Sequence, residues 1–214
     1  MQKLPPSQIF KFETTPFNLS WSKWITHWWH WCFSDPFVPS PAEDPDGHIT
    51  NVNQKDSNVF FLAGTFGGEA KRTCTTDKSK AVFFPIVNDL ISFAEYPHLE
   101  SEYELRQYAK SDLDTTSHLE ARVDSQETDL DDIHRCQSSI MNLFLPVQIE
   151  TGIVAKETVA VSDGYWVFLK KLPKGIHEIY IRGEKKLFDE VQHVGYMGEN
   201  GLFVNEVKYT VAVD

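Results

Sequence analysis

The residues of this sequence whose types and placement could do chemistry are the polar side chains at the ends of its apolar runs. Gln54 precedes V-F-F-L, Arg72 follows the glycines of G-T-F-G-G, Lys80 precedes V-F-F-P and Asn88 closes that second run. A charge or amide placed where a strand leaves a core either reaches solvent or meets a ligand, because burying it without a partner costs roughly 1–3 kcal/mol or more. Together they would offer hydrogen-bond donors to a carboxylate, a carbonyl or a sugar hydroxyl. His27 and His30 stand three apart, about 60° around a helix, and such a pair can ligate a metal when a third ligand joins it. No third ligand is placed by the sequence, so they are weak metal candidates. Asp131, Asp132 and His134, and likewise Asp44, Asp46 and His48, read as solvated acidic turns rather than cation loops. There is no G-x-S-x-G, no H-E-x-x-H, no phosphate-binding glycine loop and no dinucleotide fingerprint.

These groups need elements to position them, and the largest is Trp21 to Phe33, which holds five of the six tryptophans. Ser20 can cap a helix there. At about 100° per residue, Trp21, Trp24, Ile25, Trp28, Trp31 and Cys32 share one face of about 120°, which Trp29 widens and His27 borders, with Lys23 and His30 opposite. So apolar a face must be covered by a sheet. Only its borders, at His27, Trp29 and His30, stay candidates for contact with a ligand.

Upstream, residues 1–19 read as an extended lead-in that packs Phe10, Phe12 and Phe17 on the body. Residues 34–58 form a proline-rich connection with D-P-D-G as a tight turn. Val59 to Ala63 and Ala81 to Val87 are apolar runs expected as buried strands, with Pro85 marking an edge position or a bulge. Between them G-T-F-G-G-E-A-K-R-T-C reads as flexible backbone beside Arg72. Ser101 and Glu104 form a capping box that opens a cover helix with the stripe Leu105, Tyr108, Ala109 and Leu113. Strands follow at 118–124, 139–149 and 165–169, then one with His177, Ile179 and Ile181 inward, and a last one with Phe203, Val207, Tyr209, Val211 and Val213 inward. The expected fold is mainly β: an antiparallel, jelly-roll-like β-sandwich with one or two packed α-helices, a single domain over 1–214 with its Trp-rich helix at about 20–33.

Composition narrows the function. A formal net charge of −11, with no cluster of basic residues, disfavours nucleic acid and anionic membrane surfaces. No run is long and apolar enough to span a bilayer. The start M-Q-K-L-P-P lacks the apolar segment of a secretory signal, which implies a cytoplasmic protein if Met1 is native and a secreted or periplasmic one if a signal was removed. Cys32, Cys74 and Cys136 form no C-x-x-C pair and read as three reduced thiols, or as one disulfide and a leftover thiol. No cofactor is expected, and the oligomeric state is left open.

The words W-W-H-W, V-F-F-L-A-G-T-F-G-G, R-T-C, K-A-V-F-F-P-I-V-N, E-L-R, R-C-Q-S and V-S-D-G-Y-W-V-F-L-K-K-L-P-K-G-I-H-E-I-Y-I-R-G resemble a family of uncharacterised bacterial and archaeal proteins across about Trp21 to Gly183. The resemblance names no activity. It implies that Gln54, Arg72, Cys74, Lys80, Asn88, Arg106, Gln137 and Asp163 stand at family-type positions. T-D-K-S-K replaces the usual P-x-G-K turn, and His30 stands where Gln is common, which weakens any family-wide metal role for it.

The function expected from these residues is binding of a small molecule or glycan between the Trp helix and the F-L-A-G-T-F-G-G turn, with Trp29, His30, Gln54, Arg72, Lys80 and Asn88 as contacts. The alternative is a hydrolase or metal-assisted enzyme that uses His27 or His30 with a carboxylate. A third class is a purely structural or interaction protein.

Overall fold

The computed structural model describes residues 5, 8–35, 39–56, 58–146, 156–186 and 201–214. The part of the expected 139–149 strand beyond residue 146 lies outside the described residues. Among the described residues there are two α-helices and ten strands: α1 (Trp21–Cys32), β1 (Val59–Phe61), β2 (Gly68–Thr76), β3 (Ala81–Ser92), α2 (Glu102–Leu113), β4 (Thr116–Val123), β5 (Gln126–Glu127), β6 (His134–Arg135), β7 (Met141–Leu145), β8 (Lys156–Leu169), β9 (Gly175–Lys186) and β10 (Leu202–Val213). The fold is mainly β, as the alternating and apolar runs require.

The strands form two sheets. In the first, β1, β3 and β8 lie side by side, and β6 and β7 follow one another along the far edge of β8. In the second the order is β2, β10, β9, β4, β5. Neither sheet is purely antiparallel, which corrects the expectation: β1 runs parallel to β3, and β2 runs parallel to β10. The first parallel pair follows from the path of the chain, which leaves the first sheet after β1, contributes β2 to the second, and returns as β3. The stretch read as flexible backbone beside Arg72 is, from Gly68 onward, part of a nine-residue strand, β2. Pro85 marks a bulge, with the register slipping between Pro85 and Val87, and β3 is an inner strand rather than an edge.

The first sheet is the middle layer. Its inner face meets the second sheet in one apolar cluster that joins Phe60, Leu62, Val82, Phe84, Ile86 and Val167 to Ile179, Ile181, Val207, Tyr209 and Val211. Gly183 permits this approach, since a Cβ there would lie 2.6 Å from Ile86 O and 2.9 Å from Val87 Cβ. Farther along, α2 covers the same face through Leu105 and Ala109 on Ile91 and Val161. The Ser101 hydroxyl accepts from Glu104 N as the expected cap, while the Glu104 carboxylate turns back to accept from Glu100 N, one residue before the cap.

The outer face of the first sheet is covered by α1. Trp21, Trp24, Trp28, Trp29 and Trp31 are all buried, packed with Phe61, Phe83, Trp166 and Phe168. An isolated helix of this length is marginal in water, so packing holds it; each ring contributes a gross burial of about 4–6 kcal/mol. Indole N–H groups tie the helix to its surroundings: Trp24 donates to Pro16 O, Trp28 to Leu62 O and Trp31 to Val52 O, at 2.9, 2.8 and 3.0 Å. In the lead-in, Phe10 and Phe17 pack on this cluster, while Phe12 is 40% exposed with its ring on Trp21 and His134.

Candidate functional site

Three groups of side chains carry the polar residues singled out by the sequence. The first holds loops. Arg72, on β2, is buried, and its guanidinium donates to the carbonyls of Ala42, Asp44, Ala63 and Gly64 and to the Tyr209 hydroxyl. Gln54 donates to Thr50 O and Phe61 O and accepts from Phe61 N, and the Lys80 ammonium donates to Asp56 O at 2.7 Å. Asp44 folds the same loop from within, accepting from the backbone N–H of Asp46, Gly47, Ile49 and Thr50. Burial would raise its pKa, but these bonds outweigh that and hold it below the usual value. Asn51 finishes the job by pairing its side chain with both backbone groups of Thr75, which protects the edge of β2. Gln54, Arg72 and Lys80 thus spend their hydrogen bonds on the backbone of the 42–64 connection. Cys74 lies under the same loop; Cys32, Cys74 and Cys136 are all free thiols.

The second group is an ionic layer between α2 and the two sheets. Asp163 is buried on β8, accepts from the Arg135 guanidinium, from Gln137 Nε2 and from Gly164 N, and Gln137 in turn joins Arg106. Three of the positions implied by the family resemblance, Arg106, Gln137 and Asp163, meet here. Beside them Lys185 of β9 bridges Asp89 of β3 and Asp112 of α2, residues that the sequence reading missed. A signal existed for two of them. Lys185 continues the inward parity of His177, Ile179 and Ile181, and Asp112 stands three residues after Ala109 on the buried stripe of α2.

The third group lies between α1 and the outer face of the first sheet, where the helix ends near the Gly64 to Gly68 turn. Trp29 is buried against Trp28 and Phe33, with ring centroids 4.9 and 5.3 Å apart, and Phe33 faces Phe66 of the turn at 6.4 Å and 25°. Trp28 also meets Trp166 edge-on at 5.5 Å. Beneath these rings β3 and β8 approach closely at Asn88 and Gly164. A Cβ on Gly164 would lie 2.6 Å from Asn88 Cβ and 2.9 Å from Trp166 Nε1. Asn88 Nδ2, Trp166 Nε1 and Trp29 Nε1 are buried donor atoms that have no acceptor among the described residues. Such groups are uncommon in native folds and each calls for an explanation.

Of the residues expected to contact a ligand, Asn88 lies beside Trp166 at this approach and Trp29 is linked to Trp166 through the Trp28 ring, whereas Gln54, Arg72 and Lys80 belong to the loop clasp. His27 and His30 are exposed on the far side of α1. Desolvation first, and the His27 charge second, hold the His30 imidazole below its ordinary value. Among the described residues no group of three or more His, Cys, Asp or Glu side chains is arranged to hold a metal ion, and no helix is long and apolar enough to cross a membrane. Comparison of the chain with models of protein families, with curated proteins and with solved structures finds no match.

Proposed function

We propose that this protein is a binding module whose ligand is a small molecule or glycan rich in hydrogen-bond acceptors, seated in the seam between the end of α1 and the Gly64 to Gly68 turn. The two sheets are read as the layers of a β-sandwich with α1 and α2 packed on it. A single observation carries the reading: Trp29 Nε1 and Trp166 Nε1 in the aromatic cluster, and Asn88 Nδ2 beside Trp166, are buried donors without acceptors among the described residues. Donors kept dry and unpaired cost stability, and a carbonyl, carboxylate or hydroxyl oxygen supplied by a ligand would recover it. Aromatic rings beside a few fixed polar groups are the usual lining of a small-molecule site.

The test is titration of the purified protein with neutral oligosaccharides and with small carboxylic acids, followed by tryptophan fluorescence and calorimetry. Asn88→Leu and Trp166→Phe each remove one donor. Each is expected to weaken the compound that binds by about tenfold, near 1.4 kcal/mol. Asn88→Leu keeps the side-chain shape and should leave the melting temperature unchanged or raise it. Absence of binding across both panels, or binding that both variants retain in full, refutes the proposal.

A further inference from the structure

The bridge formed by Asp89, Lys185 and Asp112 joins three layers through one ammonium group. Lys185 comes from the second sheet, Asp89 from the first and Asp112 from α2. Lys185 and Asp112 are 2% and 0% exposed, so the bridge is cut off from solvent on two of its three sides. Asp112 Oδ2 accepts from Lys185, but Asp112 Oδ1 is buried with no donor facing it. The Asp89 carboxyl group is its neighbour: Lys185 Nζ donates to Asp89 Oδ2 at 3.0 Å as well as to Asp112 Oδ2, and the two carboxyl groups interact directly. Two carboxylates cannot hydrogen-bond to each other, and one ammonium cannot neutralise both in a dry site. A proton on one of them resolves both problems, because a carboxyl O–H donates to the other carboxylate.

The elements packed on the bridge bring few charges that could change this balance; β4 lies beside Lys185 with the uncharged Thr116. The turn after β3 brings the Glu95 carboxylate and Tyr96, whose phenol burial first and the Asp89 charge second push well above its ordinary value, so that it stays neutral. From α2 come Tyr108 and Arg106, the latter engaged by Glu102 and Gln137. The Asp163 carboxylate on β8 is paired with Arg135, which also binds Asp114. β10 contributes Phe203, whose ring lies 5.7 Å from the Lys185 ammonium, and the uncharged Asn205. None of these supplies a second cation to the bridge.

We propose that the Asp89–Lys185–Asp112 bridge is a proton-operated latch, which holds α2 against the sheets while the two carboxylates share one proton and loosens the helix when that proton leaves. The direction agrees with the site's electrostatics. Desolvation first, and then the Asp89 charge, push Asp112 up to about 8, while Lys185 is held above its ordinary value and keeps its charge. The apolar hold on α2 is a small cluster of Ile91, Tyr96, Leu105, Ala109 and Val161. This inference does not rest on the proposed ligand.

Hydrogen exchange of the whole chain, read as protection factors for the amides of α2 against those of β8 and β10, tests it between pH 6.5 and 9.5. Protection of α2 is expected to fall at least tenfold across that range while β8 and β10 hold. In Asp112→Asn the fall should vanish, since the amide donates to Asp89 at any pH. In Asp89→Asn it should vanish as well, because Asp112 then pairs with Lys185 alone. The second variant decides the matter if the first does not fold. Flat α2 protection in the parent protein, or an undiminished fall in either variant, overturns the latch.

Discussion

Replacing Arg72 with methionine separates the loop clasp from the ligand seam and has a size that can be worked out. The guanidinium makes five hydrogen bonds, to four backbone carbonyls and the Tyr209 hydroxyl. At about 1.5–3 kcal/mol for each bond to a charged group, the gross loss exceeds the stability of most domains. Two effects reduce it. Methionine keeps the apolar stem buried, and removing a buried cation recovers a desolvation cost of several kcal/mol. A net loss of about 3–5 kcal/mol remains, the range found when one partner of a buried charged contact is deleted. Urea denaturation followed by tryptophan emission measures the global part, and thiol labelling reads the local part. Cys32 and Cys74 are buried beside the clasp, and desolvation pushes each thiol up to about 12, whereas Cys136 is half-buried. In the parent protein Cys136 should label first. Arg72→Met should accelerate Cys32 and Cys74 by about two to three orders of magnitude through opening of residues 42–64. A stability loss below about 1 kcal/mol, with Cys74 still protected, would refute the structural role given to Arg72.

Two further substitutions probe the middle sheet and the loop. Gly164→Ala puts a Cβ 2.6 Å from Asn88 Cβ where β3 and β8 are hydrogen-bonded, and is expected to cost about 1–3 kcal/mol in urea denaturation; an unchanged midpoint would mean that the strands have room to part. Asp44 has a folded pKa below its unfolded value, so its contribution is present above the unfolded value and is lost as pH falls through the folded one. Asp44→Asn should therefore lower stability at pH 7 and flatten the acid limb of the stability profile, measured by chemical denaturation at a series of pH values.

The parts of the fold legible in the sequence are those where side-chain volume or local hydrogen bonding leaves one solution. The period of Trp21, Trp24, Trp28 and Trp31 fixes a helix with one covered face, and Ser20 accepts from Lys23 N as its cap. The run Tyr165 to Leu169 requires cover on both sides and receives it from α1 and the second sheet. What was hidden is inward-facing charge. In β2 the buried positions are Arg72, Cys74 and Thr76, so the alternation that reveals a strand was carried by residues that pattern reading places at the surface. Lys185 and Asp112 were concealed in the same way. The parallel pairs could not be read either, because they depend on which sheet receives β2 and not on any property of β1 or β3. At the candidate site, Trp29 was visible as a helix border and Asn88 as the polar close of an apolar run, although β3 continues past it to Ser92; Trp166 was not visible, since its ring looks like ordinary core until its N–H is found without an acceptor.

Sheet pleat explains how two polar sites come to lie back to back in one middle layer. On β3, Asn88 turns toward α1 and the next residue, Asp89, turns toward the latch; on β8, Gly164 and Asp163 divide in the same way, and the two pairs are in register. Adjacent residues of a strand face opposite sides, so a polar pair is the shortest device by which one strand can serve both. Gly164 also donates its N–H to the Asp163 carboxylate at 2.8 Å, which ties the two faces at this point of β8. A change in the charge of the ionic layer is therefore one peptide unit from the donors of the seam. If ligand binding and α2 protection are measured on the same protein, Asp89→Asn is the substitution that would move both, and Asn88→Leu the one that would move only the first.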